Sequence, residues 1–164
     1  MTKNILYLLS VFLFSIGGYA QNSTLDSYRK EYARVKSDSG TCAKLYEKVI
    51  KDKNPDNTIQ CYKGAVTAAM ADYTKNKSEK LKLFREGKTL IEQSIAKDSS
   101  NVELRFLRFT VQSACPKALG YNHQIESDRT FIMSNKSEIK NLSVKKSIDD
   151  YFKKSGNNVD SSKK

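Results

Sequence analysis

Histidine occurs once in this 164-residue chain, proline twice and cysteine three times. His123 has no cluster of His, Cys, Asp and Glu at metal-ligand spacing, so no metal site is expected and no cofactor is implied. Cys115 and His123 could act as a nucleophile and base. Nothing in the sequence supplies an oxyanion donor or an orienting partner, and no catalytic residue is assigned. An odd number of cysteines leaves one thiol unpaired within a monomer. Buried free thiols are the simpler reading; a disulfide, if one forms, would use Cys42–Cys61, because the two fall on neighbouring predicted helices.

Positive charge is abundant: 29 Lys plus Arg stand against 18 Asp plus Glu, a net charge of +11. Nucleic acid is the first partner such a balance suggests. The lysines are scattered over almost every predicted helix, zinc-finger spacing is absent, and no aromatic strand motif for single strands is present. An acidic protein or peptide, an anionic envelope polymer or an anionic lipid surface fits better, and solvation of helix surfaces explains many of the lysines.

Residues 1–20 read as a secretory signal peptide. Lys3 precedes an apolar run from Ile5 to Ile16, and Gly18 and Ala20 sit at the cleavage positions, leaving Gln21 first in the mature chain. The run is shorter than the roughly 20 residues of a membrane span. The expectation is an exported protein, periplasmic or secreted and bacterial. Its single helical domain covers 21–154, followed by a flexible tail over 155–164.

Periodicity predicts helices throughout. The first carries Leu25, Tyr28, Tyr32 and Val35 on one side, and Ser37-Asp38-Ser39-Gly40 breaks it. A second spans about Thr41 to Lys51, with Leu45, Tyr46, Val49 and Ile50 inward. Pro55 lies in the next turn, near the start of a third helix running from about Thr58 to Thr74. A fourth, about Glu79 to Lys97, contains Gly87, whose helix-propensity cost suggests a close helix contact. Lys88 can lay its stem on the apolar edge of that helix. A last helix, about Val144 to Lys154, docks through Val144, Ile148, Tyr151 and Phe152 and ends at Gly156.

The stretch from Ser99 to Ile132 organises the rest. Ser100 and Glu103 form a capping-box pattern. The helix that follows runs to about Ala114 and bears two apolar stripes. Leu104, Leu107, Val111 and Ala114 form one; Val102, Phe106 and Phe109 form the other. Other helices must therefore cover both sides. Pro116 turns the chain into a second helix containing Ile125, Asp128, Phe131 and Ile132. Arg105 and Arg108 share one side of the first helix and can pair with Glu103, Glu126 or Asp128, or engage an anionic ligand through their guanidinium forks. Arg105, Arg108, Tyr121 and Arg129 are the candidate binding residues.

The alternating helix pairs resemble a divergent tetratricopeptide-type array. Ala43, Ile50 and Pro55 match the small, apolar and turn positions of one repeat; Gly87, Ile91, Ser94 and Ser99 match the end of another. Glu103 to Arg108, Pro116, Leu119-Gly120-Tyr121, Ile125, Asp128 and Phe131-Ile132 also resemble small exported proteins of flavobacteria and their relatives. That resemblance covers roughly residues 40–133 and implies an envelope protein without implying an activity. The expected fold is all-α, built from antiparallel helix pairs. The expected function is a non-catalytic interaction or scaffold module of the cell envelope. The alternative is a small envelope enzyme or lipid-binding protein whose pocket forms only in three dimensions; a deep apolar cavity where His123, Cys115 and an acidic residue converge would favour it.

Overall fold

The computed structural model describes residues 23–160, with side chains described through residue 154. The expected signal peptide lies outside the described residues. Among them there are seven α-helices and no strand. They are α1 (23–32), α2 (Ser39–Lys51), α3 (Asn57–Met70), α4 (Lys77–Lys97), α5 (Val102–Ala114), α6 (Ile125–Asn135) and α7 (Leu142–Asp160). Single 3-10 turns cover Ala71–Tyr73, Lys117–Leu119 and Lys136–Glu138. Sequence neighbours pack as pairs, α2 on α3, α3 on α4 and α5 on α6.

Short polar side chains start most of these helices by accepting orphan backbone amides. Asp38, Asp56, Asn76 and Asn101 cap α2 to α5 in this way. The cap of α5 differs from the capping box expected at Ser100. Asn101 Oδ1 accepts from the amides of Glu103 and Leu104, while the Ser100 hydroxyl donates to Asp98. The Glu103 carboxylate is thereby freed for a distant partner. Gly120, at φ 62°, closes the corner after the second 3-10 turn in the left-handed region. α7 begins two residues early, at Leu142, and continues through Gly156, where an end was expected.

Two cores flank α5, as its two stripes require. Leu104, Leu107 and Val111 join Leu45, Val49, Ile59 and Ile91 in the larger one. Val102, Phe106 and Phe109 join Ile132, Val144 and Ile148 in the smaller. Ile50, expected to face inward, is 39 % exposed instead. Cys42 and Cys61 lie fully buried in the larger core as free thiols, with no bond between them.

α3 and α4 cross at near backbone contact. A methyl group on Gly87 would stand 2.5 Å from the Gly64 carbonyl oxygen and 2.8 Å from Ala68 Cβ. One on Gly64 would stand 2.8 Å from the Gly87 carbonyl oxygen. Gly87 thus has the close-contact role its sequence context suggested. Gly64 on α3 is its partner in that contact.

Candidate functional site

Two of the three arginines singled out from sequence, Arg105 and Arg108, come together around a buried aspartate. Asp128 is 0 % exposed on α6, and Arg108 is 6 % exposed on α5. The Arg108 fork donates to both carboxylate oxygens of Asp128 at 2.7 Å. Its third nitrogen donates to Glu92 on α4 at 3.0 Å. Arg105 donates to Asp128 at 3.1 Å and to the Ser99 carbonyl at 2.7 Å, and its guanidinium lies 4.1 Å from the Phe131 ring centroid. The Tyr121 hydroxyl donates to Glu92 at 2.6 Å, and Lys88 sits 4.9 Å over the Tyr121 ring. Burial pushes the Tyr121 hydroxyl pKa up, and the Glu92 carboxylate adds to that shift.

The guanidiniums of Arg105 and Arg108 face the carboxylates of Asp128 and Glu92, which offset their charge, while Lys88 adds one positive charge over the Tyr121 ring. Each of the three nitrogens of Arg108 donates to a carboxylate of the protein itself. Arg105, Arg108 and Tyr121 therefore tie α4, α5 and α6 together and present little to a ligand. Arg129 stands apart, exposed on α6 with its guanidinium 5.9 Å over the Phe152 ring. His123 is exposed in the loop before α6. No group of three or more His, Cys, Asp or Glu suited to a metal occurs among the described residues.

A second clamp lies on the other side of α5, between residues 74 apart in sequence. Arg29 on α1 donates to both Glu103 oxygens at 2.8 and 2.7 Å, and to Asp26 at 2.8 Å. The Tyr62 hydroxyl donates to Glu103 at 2.8 Å. Asn141, which caps α7, donates to Asp26 at 3.3 Å. One end of α1, α5 and α7 is thus tied together. Further along, Tyr32 bonds Thr110 on α5, and the Tyr151 ring stacks edge-on against Phe106 and Phe109. The three helices therefore run in the same direction.

Between α1 and α7, with α5 as its floor, lies a groove of about 470 Å³. Tyr32, Tyr62, Tyr73, Phe84, Phe106 and Tyr151 give it aromatic walls. Arg29 lines the clamped end. Lys36, Lys80 and Lys154 also line it, and all three are exposed. They gather toward the other end. The Tyr73 hydroxyl donates to the Val35 carbonyl at 2.7 Å, which joins the chain beside Lys36 to the turn that leads into α4 and Lys80. Cys115, at the end of α5, opens onto the same region, and burial raises its thiol pKa. Its sulfur contacts the Pro116 carbonyl at 3.5 Å.

None of Arg105, Arg108, Tyr121, Arg129 or His123 lines this groove. Helical spacing puts Tyr32 and Tyr151 on apolar faces without showing that a groove runs beside them. The available signal was the number of tyrosines: Tyr28, Tyr32, Tyr62 and Tyr73 each bring a hydroxyl to an apolar face, and such rings favour the border between a dry interior and a wet surface. No helix among the described residues is long and apolar enough to cross a membrane. No family model, curated protein or solved structure matches the chain.

Proposed function

We propose that the chain is an exported, non-catalytic binding module of the bacterial cell envelope, a divergent tetratricopeptide-like array whose working surface is the groove between α1 and α7. The observation that carries this reading is the groove's size and lining: about 470 Å³ of mainly apolar, aromatic surface with lysines at one end. That volume lies in the range of ligand sites, roughly 300–1,000 Å³. The repeated helix pairs suit an array of this kind, and the Lys3-to-Ala20 leader pattern supports the envelope setting. The binding surface moves from the arginine cluster, whose charges are spent internally, to a region where side chains face open space. The enzyme alternative draws on Cys115 and His123, and only Cys115 borders the groove.

Native mass spectrometry of the protein isolated from a bacterial envelope tests both parts. The expected chain begins at Gln21 and carries a non-covalent occupant. Ala114 is exposed and lines the groove, so Ala114→Trp fills it with little effect on the core. The variant is expected to keep its helicity and lose the occupant. A bare wild-type chain, or equal occupancy of both proteins, rejects the groove. A chain that retains residues 1–20 rejects export.

A further inference from the structure

Resting on that reading, we infer that the groove holds a single-chain carboxylate amphiphile of the fatty-acid class, its tail along the aromatic walls and its head at Lys36 and Lys80. Three features of the site lead to this occupant.

The first is that three of the wall tyrosines already spend their hydroxyls within the protein. The Tyr32 hydroxyl is bonded to Thr110, that of Tyr62 to Glu103 and that of Tyr73 to the Val35 carbonyl. Thr110 also donates to the Leu107 carbonyl at 2.8 Å. An extended peptide brings an amide donor and a carbonyl acceptor with every residue, and leaving these dry without partners is costly. A hydrocarbon chain asks nothing of such walls except area, and each buried methylene contributes about 0.8 kcal/mol.

The second is volume. The groove's volume of about 470 Å³ lies within the roughly 300–1,000 Å³ of sites that take one small ligand, and a single acyl chain is a ligand of that class.

The third is the distribution of charge. Arg29 is held by Glu103 and Asp26, and Asp150 is held by Lys146 at 2.7 Å. Lys36 and Lys80 have no ion pair among the described residues, and of the carboxylates lining the groove Asp72 alone is left to oppose them with Lys154. At the clamped end one guanidinium faces two carboxylates, and the exposed end is cationic. An amphiphile with a negative head satisfies both ends in one orientation.

Cys115 supplies a reporter already in place. It lines the groove and is partly exposed, whereas Cys42 and Cys61 are 0 % exposed. Alkylation of the folded protein therefore reads Cys115. The probes are dodecanoate, dodecyl maltoside and dodecylammonium, each below its micelle threshold. Dodecanoate is expected to protect Cys115 at one molecule per chain, and more tightly than the other two. Lys36→Gln with Lys80→Gln is expected to weaken dodecanoate about tenfold and leave the maltoside unchanged. Ala114→Trp is expected to abolish protection by all three. Equal protection by the three headgroups, or dodecanoate binding indifferent to the two lysines, overturns the assignment. If no probe protects Cys115 while the envelope-isolated chain still carries an occupant that Ala114→Trp loses, the amphiphile falls and the groove stands. An acidic peptide in its place is then the occupant to identify by mass.

Discussion

On one side of α5, Leu104, Leu107 and Val111 meet the aliphatic side chains of α2, α3 and α4. There α3 and α4 lie so close that two glycines touch backbone to backbone. On the other side, Phe106 and Phe109 meet α7 through rings, Tyr151 at 5.7 Å from each and Phe152 at 5.2 Å from Phe109. α6 is fastened there by Asp128, a carboxylate with no exposure at all. Shape holds the first region, and a buried ion pair with a few aromatic contacts holds the second. A region with fewer buried apolar contacts opens at lower free energy. α7 belongs to the second region and forms one wall of the groove, so the weaker region is the one that can admit a ligand.

The largest test of this contrast is Asp128→Ala. Removing the carboxylate strands the buried Arg108 guanidinium with only Glu92, a change worth about 3–5 kcal/mol in comparable buried pairs. Glu103→Ala breaks the opposite clamp, where the Arg29 and Glu103 side chains are 13 % and 12 % exposed and water can compensate in part. Denaturant titration is expected to show the larger loss for Asp128→Ala. Hydrogen exchange is expected to quicken in α6 and α7 before α3 and α4. Equal losses, or uniform exchange, would erase the distinction between the two regions.

Gly87→Ala probes the tighter region. Alanine favours a helix over glycine by about 1 kcal/mol, so on propensity alone the variant gains. Its methyl group, however, meets backbone atoms of α3 that cannot rotate away. Separation of α3 from α4 is expected to outweigh the gain and lower stability by about 1–3 kcal/mol. A raised denaturation midpoint would mean that the crossing has slack, and that shape does not hold this region.

Much of this architecture was readable in advance. The two stripes on α5 foretold the two cores, and the cost of Gly87 foretold a close crossing. Asp128 was one of three acids offered to Arg105 and Arg108, and it sits on the helix that Pro116 folds back. These are local facts, written in spacing within one helix or one hairpin. The pairing of Arg29 with Glu103 spans most of the domain, and Glu103 had a plausible local use as half of a capping box. Asn101, one residue beyond Ser100, took the cap and released it. The groove was hidden for a related reason. A tyrosine stripe at helical spacing looks the same whether its far side is packed or open, and only the parallel alignment of α1, α5 and α7 leaves a gap beside it.

The smallest effect is expected where the two regions meet, at Asp26. The hydrogen bond from Arg29 holds this carboxyl below its ordinary range, against a smaller opposing push from burial, and Asn141 at the start of α7 adds to the lowering. A carboxyl lowered in the folded state favours folding at any pH above its unfolded value, near 4, and loses that contribution as pH falls through its folded value. The Asp26 side chain is 47 % exposed, so solvent screens the pair and the contribution is a small fraction of that at Asp128. Asp26→Asn is expected to melt slightly below wild type at neutral pH. As the wild-type carboxyl takes up its proton below about pH 4, the difference is expected to shrink. A difference that stays constant or widens on acidification would show that Asp26 acts through its hydrogen bond to Asn141 and not through its charge. The contact between α1 and α7 would then be a neutral hinge at the closed end of the groove, indifferent to pH.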